Sequence, residues 1–415
     1  MRVLLLIWNY WPGIEGGSER QARQVAAELS RRGHTCIVWT AWLEFDLPKS
    51  ETIDGTAVER FGGLVPLQNK ARRFLDRLHQ LVQRLCISNI PSSEKYYNSF
   101  KKHFDFWLLL PVVYITRLSF MLEVQRRTRD GCVAPDLIHL HEPSWLGGFA
   151  VRIAQSWGVP VLSQEATNPV MPTLGYDVPY RRHIDDLRKK AHFIAMAPYL
   201  AVDLASKGIP NERIHLLPNG VKIPDVNEDR IEESMVLYVG NFSQGAHWKA
   251  FDVLFDAWKI VHQEDMGLNL VVLGGGDRKI WEDYVEALGC ASTVLFMGRV
   301  GNPEEYYSKA SVFVLPSRVE GMSNALLEAQ SWGLPCVVSD IPGNTSVVDD
   351  GVNGMVVPVN DPRALAAAVI TLQRDTALRK QTGKAAFERM KLTHDLDLVM
   401  DKLLSIYKNV SLAKE

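Results

Sequence analysis

The chain has 415 residues, of which 47% are hydrophobic and 23% charged, and its formal net charge is -2 at neutral pH. This is a globular composition, longer than one core normally holds, and too near neutral to carry a field that would gather nucleic acid or another polyanion. The five cysteines, Cys36, Cys86, Cys132, Cys290 and Cys336, are odd in number, scattered and free of any C-x-x-C spacing, which predicts a reducing, cytoplasmic setting and argues against a zinc site or a disulfide framework.

The first apolar run, Val3 to Trp8, is short, and polar, glycine-rich chain follows at once. It reads as a strand covered on both faces rather than a signal peptide. The turn Pro12 to Glu19 contains Gly16-Gly17, and a helix follows over about 18–32, with Ala22, Val25, Ala26 and Leu29 on one face. Gly33 ends it and Cys36 to Trp39 forms the next strand, completing a βαβ unit. Further strands are expected at 137–141, 159–162 and 193–196. Residues 218–221 and 224–233 read as a linker. A second α/β series places strands at 236–239, 268–273, 294–296, 312–315 and 336–338, with helical pattern from about 362 to 407. Two parallel-sheet halves joined by a linker are therefore expected.

Residues 66 to 135 break the alternation. They hold twelve Lys or Arg against five Asp or Glu, a local excess of seven positive charges. Phe74, Leu78, Leu81 and Leu85 recur at helical spacing, with Arg73, Arg77 and Arg84 on another face, the pattern of a basic amphipathic helix. No uncharged apolar run reaches the roughly 18 residues that span a bilayer. The nearest approach, Phe106 to Met121, contains Pro111 and Arg117.

The motif richest in chemistry runs from Pro316 to Glu328, where an apolar strand ends in a polar turn and a helix begins near Ser323 or Asn324. The free N–H groups and positive dipole end of such a helix make an anion site, and Gly321 lets a phosphate approach the backbone. Glu320 and Glu328 frame that site, and carboxylates beside a phosphate make sense as acceptors for sugar and ribose hydroxyls.

Glu320 and Glu328, with seven residues between them, resemble the E-x7-E pattern of the GT-B glycosyltransferases, and of glycosyltransferase family 4 in particular. The resemblance covers all but about residues 66 to 130. It implies an α/β fold of two Rossmann-like domains whose parallel sheets face each other across a cleft, with a C-terminal helix returning towards the N-terminal domain. Residues 1–222 would be the acceptor-binding domain, carrying a basic helical insert at 66–130. Residues 223–392 would bind the nucleotide sugar, and 393–415 would be the returning helix.

The resemblance implies that Glu320 touches the donor sugar and Glu328 the nucleotide ribose. Gly321, Met322, Ser323 and Asn324 line the anion site. Gly16-Gly17 matches the glycine loop that faces the donor phosphates and sugar, and Pro218 to Val221 the interdomain segment. Lys249 fits the basic residue on the donor diphosphate, where a cation offsets the charge of the leaving group. His139 and His141 alternate on one strand. His141, nearer its carboxyl end, corresponds to the histidine that contacts the transferred sugar, and His139 reads as packed.

Three places depart from the family pattern. Asn241 stands where an Arg usually follows the glycine, and His247 and Arg299 are the candidates to replace its charge. Ser163-Gln164-Glu165 and Met196-Ala197-Pro198 replace a common His and a common Ser, and Glu165 reads equally as an acceptor contact or a loop carboxylate.

No Asp-x-Asp metal motif ends a strand beside a matching His, and Asp349-Asp350 reads as a solvated turn, so no metal and no cofactor beyond the donor is expected. The resemblance implies hexosyl transfer with retention, from UDP- or GDP-sugar, to a hydroxyl of a glycan or glycolipid. The leaving phosphate would take the acceptor proton. The basic stretch at 70–127 adds an anionic membrane surface as a partner and a peripheral place on its inner face. A dehydrogenase is disfavoured: the first turn lacks G-x-G-x-x-G, and Trp39-Thr40-Ala41-Trp42 offers no acidic residue after the second strand. The alternative is an inactive GT-B scaffold in a membrane glycan-assembly complex.

Overall fold

The computed structural model describes residues 1–12, 16–66, 70, 93–141, 146–165, 181–225, 234–242, 247–264 and 266–412. They form two compact units. One comprises Met1–Ala195, Val202–His215 and Leu404–Glu415, the other Met196–Ala201 and Leu216–Leu403.

The first unit runs β1 (Arg2–Leu6), α1 (Gly17–Arg31), β2 (Thr35–Ala41), β3 (Ser50–Ile53), β4 (Thr56–Phe61), α2 (Ser93–Arg129), β5 (Leu137–His141), α3 (Leu146–Trp157), β6 (Val161–Glu165), α4 (Arg181–Lys190), β7 (His192–Ala195), α5 (Pro198–Ser206), whose first turn with Tyr199 belongs to the second unit, and β8 (Ile214–Leu216). Its sheet has the order β3-β4-β2-β1-β5-β6-β7-β8. The pairings from β4 to β7 are parallel, and β3 runs antiparallel to β4. The five expected strands are β1, β2, β5, β6 and β7. The β3–β4 hairpin was not among them, because its residues alternate in burial instead of forming an apolar run. Its turn, Asp54-Gly55, has both φ angles positive, at 48° and 77°, the geometry that Asp-Gly supplies in a tight hairpin.

Most of the described part of the segment that breaks the alternation is a helix, α2, of 37 residues with Pro111 inside it. Val113, Thr116, Phe120 and Val124 form its buried face. Phe120 meets Trp8 edge-on, with ring centroids 5.3 Å apart. The Glu123 carboxylate accepts from the backbone N–H of Gly62 (3.0 Å) and of Gly63 (2.8 Å). The amphipathic stretch carrying Phe74, Leu78, Leu81 and Leu85 lies outside the described residues, as do most of the linker at 224–233 and residues 13–15 of the first turn.

The second unit runs β9 (Met235–Val239), α6 (Phe251–Gln263), β10 (Asn269–Leu273), α7 (Lys279–Ala287), β11 (Val294–Gly298), α8 (Glu304–Lys309), β12 (Val312–Leu315), α9 (Asn324–Ser331), β13 (Cys336–Ser339), α10 (Pro342–Thr345), β14 (Gly354–Val357), α11 (Pro362–Arg374), α12 (Thr376–Thr393) and α13 (Leu396–Leu412). The sheet order is β11-β10-β9-β12-β13-β14, parallel throughout. All five expected strands are present, and β14 is a sixth. The junction between α12 and α13 is tied to residues 219–221: Val221 N donates to His394 O (2.8 Å) and Leu396 N to Val221 O (2.9 Å). The last turns of α13, from Leu404, belong to the first unit.

In each sheet the strand order reverses once, between β1 and β5 and between β9 and β12. At such a switch point the connections leave to opposite faces, and the carboxyl ends of the two strands open a crevice.

Candidate active site

In the second unit the two strands at the switch point deliver Gly240-Asn241-Phe242 after β9 and Ser317 to Ser323 after β12. The first of these is laced to Gly274-Gly275-Gly276 after β10. Gly240 N donates to Leu273 O (2.8 Å) and Phe242 N to Gly275 O (2.7 Å). A Cβ at Gly274 would overlap the carbonyl oxygen of Gly240, and one at Gly276, where φ is +116°, that of Phe242. Only glycine allows the two backbones to run this close. Asn241 Oδ1 accepts from Gly275 N at 3.0 Å. Arg299 Nε lies 3.5 Å from where a Cβ on Gly275 would stand, so Asn241 and Arg299 come together around Gly275.

Lys249 closes a single 3₁₀ turn, His247–Lys249. The next residue, Ala250, is buried with φ +53°, a left-handed conformation that costs a non-glycine residue about 1–3 kcal/mol. Arg318 holds this strained turn in place. Its guanidinium takes both carboxylate oxygens of Asp252 (3.0 and 2.6 Å) and the carbonyl of His247 (2.5 Å), while its backbone N donates to Trp248 O (2.7 Å). Burial pushes the Asp252 carboxyl up, but the Arg318 guanidinium outweighs it and holds the group below its usual value.

This bracing sets Lys249 Nζ 2.6 Å from Glu320 Oε1, with the two side chains 22% and 12% exposed. Ser317 Oγ donates to the same oxygen at 2.8 Å. Tyr199 Oη donates to the carbonyl of Gly321 (3.0 Å) and, more weakly, to that of Glu320 (3.4 Å). Burial and the negative charge of Glu320 push the Tyr199 phenol up to about 12, so it remains a donor at neutral pH. A Cβ at Gly343 would overlap the carbonyl oxygens of Glu320 and Gly321, so α10 is seated directly on this loop.

Ser323 caps α9, its Oγ accepting from Leu326 N at 3.4 Å. Asn219 is bound to the same turn: its N–H donates to Met322 Sδ (3.4 Å), and its side-chain Nδ2 to Asn324 Oδ1 (3.1 Å). One turn along α9, Glu328 Oε2 accepts from Tyr307 Oη at 2.9 Å. The helix start, Lys249 and Arg299 can meet the charge of a phosphate, and Glu320 and Glu328 can accept from hydroxyls. Asp349 and Asp350 build the turn before β14. Asp349 pairs with Arg389, and Asp350 Oδ1 accepts from Val356 N at 2.8 Å.

His141 and Gly16-Gly17 lie in the first unit. His141 ends β5 and is 2% exposed, and its Nε2 has no hydrogen-bond partner among the described residues. Burial pushes its imidazole down to about 3, so it is neutral at physiological pH. His139 is packed, its Nδ1 bonded to Tyr407 Oη at 2.7 Å, and burial and its neighbour His141 push it well below its usual value. Gly16 precedes α1 and its N–H is taken by the buried Glu19 carboxylate at 3.0 Å.

The structure adds Tyr199, Tyr307 and Gly274 to Gly276 to the stretches singled out from sequence, and within those stretches it gives Asn219, Ser317 and Arg318 their partners. Three glycines after a strand are a visible sign of close backbone approach. The two tyrosines carry no such sign: Tyr307, buried, reads as core, and Tyr199, half-buried, as an ordinary helix residue.

Residues 16–220 match the family described as glycosyl transferase 4-like domain, and residues 233–375 match glycosyl transferases group 1. The chain belongs to the group 1 glycosyltransferases. Members of this family have the GT-B fold and transfer sugars from nucleotide sugars. This glycosyltransferase is 26% identical to phosphatidyl-myo-inositol mannosyltransferase of Mycobacterium leprae, over 73% of this chain and 82% of that one. Its fold is similar to that of sucrose-phosphate synthase from Thermosynechococcus elongatus, with a TM-score of 0.73, 19% identity and 99% of both chains covered. It is also similar to Anabaena HepE in complex with UDP-glucose, with a TM-score of 0.67 and 16% identity over 99% of this chain and 100% of that one.

Proposed function

We propose that this glycosyltransferase moves a hexose, with retention of configuration, from a UDP- or GDP-sugar to a hydroxyl of a glycan or lipid-linked acceptor. The observation that carries this reading is the 2.6 Å pair of Lys249 and Glu320 at the carboxyl ends of β9 and β12. A cation for the leaving diphosphate and a carboxylate for sugar hydroxyls stand side by side there. The bond from the anomeric carbon to the phosphate oxygen breaks, the acceptor oxygen bonds to that carbon, and the acceptor proton passes to the leaving phosphate. Lys249, Arg299 and the start of α9 meet the developing charge, with Gly321 to Asn324 and Asn241 lining the donor, and the reading assigns no metal. Glu320 orients the sugar and Glu328 the ribose. His141 and Gly16-Gly17 keep the roles that the family resemblance gives them, at the transferred sugar and in the donor loop.

The acceptor assignment draws on the relatives and on α2. The Mycobacterium leprae relative is named a phosphatidyl-myo-inositol mannosyltransferase, and an Escherichia coli relative, 28% identical over 47% of this chain and 54% of that one, is named for galactosyl transfer to a diphosphoundecaprenol-linked sugar. Ile115, Leu118 and Leu122 recur on one exposed face of α2 with Arg126 and Arg129 beyond them. A mixed apolar and basic face suits an anionic bilayer, each basic residue adding about 1 kcal/mol near the surface. We assign a peripheral place on the inner face of the membrane, in the synthesis of surface polysaccharide or lipopolysaccharide. Absence of binding to phosphatidylglycerol vesicles at low salt overturns this part.

The test of the donor site is thermal unfolding of wild type and Glu328→Ala with UDP, GDP, ADP, dTDP and NAD. A ligand at a hundred times its Kd adds about 2.7 kcal/mol, which raises Tm by roughly 5–10 °C in a domain of this size. Stabilisation by UDP or GDP that is lost in Glu328→Ala is expected. Stabilisation by none supports the inactive scaffold instead, with Asn241, the neutral residue in the place of the family Arg, as the residue to revert.

A further inference from the structure

We infer that Tyr307 is the residue that makes the donor site select a ribonucleotide over a deoxyribonucleotide. It does so by fixing the Glu328 carboxylate. The inference rests on the ribose role proposed for Glu328 and adds a residue that neither the E-x7-E spacing nor the family resemblance singled out.

Glu328 is half-buried on α9, and its three side-chain torsions would leave a lone carboxylate several orientations. Tyr307 comes from another element, α8, and is 1% exposed. Its ring is wedged against Phe313 of β12, with centroids 6.3 Å apart. A packed tyrosine has two torsions, both locked by its neighbours. Its single hydroxyl proton goes to Glu328 Oε2 at 2.9 Å. The bond therefore ties one oxygen of the Glu328 carboxylate to a ring that cannot turn. Since an ionised carboxylate only accepts, whatever it reads in a ligand must donate. The vicinal 2′- and 3′-hydroxyls of a ribose are two such donors, and a 2′-deoxyribose offers one. Reading the difference requires a carboxylate whose plane is set before the ligand arrives, and Tyr307 sets it.

The experiment measures Kd for UDP and 2′-deoxy-UDP, and for GDP and 2′-deoxy-GDP, by calorimetry. The proteins are wild type, Tyr307→Phe, Glu328→Gln and the double variant. Wild type is expected to prefer the ribonucleotide by about 10–100-fold, the range for one hydrogen bond to a charged group. Tyr307→Phe removes one oxygen and should narrow that ratio to a few-fold, raising the donor KM while leaving kcat in place. Glu328→Gln should narrow it as well, and in its background Tyr307→Phe should have no further effect. Because each ratio is taken within one protein, a general loss of stability cancels. The double variant also avoids leaving a carboxylate without its phenol partner. If Glu328→Gln narrows the ratio and Tyr307→Phe does not, the Tyr307 inference is overturned and the ribose reading stands. If neither narrows it, the ribose role of Glu328 falls, and the inference with it.

Discussion

Lys249 Nζ and Glu320 Oε1 are 2.6 Å apart, although 71 positions separate the two residues in the chain. Each is the counter-ion of the other, and Ser317 Oγ holds the same carboxylate oxygen from a third direction. On the proposed role of Lys249, a donor diphosphate would compete with Glu320 for the lysine. The two residues therefore respond differently to substitution. Lys249→Met should lower kcat/KM by about 10²–10³, the usual loss for one charge-stabilising donor, and should weaken UDP or GDP binding. Glu320→Gln keeps an oxygen for Ser317 and frees Lys249. Nucleotide affinity should then be unchanged or tighter while kcat falls, and nucleotide calorimetry beside steady-state kinetics separates the two outcomes.

The glycines after β10 offer a prediction with an internal control. Gly276→Ala forces a Cβ into the Phe242 carbonyl at a positive φ, which should cost about 1–3 kcal/mol or more and lower Tm. It should also displace Asn241 and weaken donor binding. A Cβ at Gly301 would meet nothing within 4 Å, so Gly301→Ala should leave both quantities within error of wild type.

Tyr199→Phe removes the hydroxyl that donates to the Gly321 carbonyl. One such bond is worth about 1 kcal/mol net, which in a unit of roughly 200 residues lowers Tm by about 2–4 °C. The donor KM should rise with it, since that carbonyl belongs to the loop carrying Glu320. A variant that loses Tm with an unchanged KM would confine Tyr199 to a structural role.

Stability should also depend on pH through the buried histidines. Burial lowers His141 to about 3 from an ordinary value of 6.5, and His139, His192 and His394 are lowered too. Between the folded and unfolded values the unfolded chain binds more protons, so stability rises with pH. The contribution is complete above about 6.5 and is lost as pH falls towards 3. Wild type should therefore lose Tm between pH 7.5 and 5. His141→Asn, with one fewer group to charge on unfolding, should lose less, as differential scanning fluorimetry across that range would show.

How much of this was legible in sequence follows from what each feature depends on. A parallel strand covered on both faces must be apolar along its whole length, so β1, β2, β5, β9, β10, β12 and β13 stood out as continuous runs; the edge strand β11 is apolar as well, although Leu295 and Met297 on it are exposed. The β3–β4 hairpin did not, because one of its faces is wet and its pattern alternates, though Asp54-Gly55 was the local sign of it. Glu320 and Glu328 were legible because their spacing is local, within one loop and the helix after it. The pairings of those carboxylates were not, although Lys249 itself was singled out. Lys249 reaches Glu320, and Tyr307 reaches Glu328, only because parallel strands distant in the chain lie side by side and end at the same edge of the sheet. Local order in the chain chooses strands, turns and helix starts, since those depend on neighbouring residues. Which side chain meets which across β9, β12 and α8 is decided by the order of strands in the sheet, which no short stretch of sequence contains.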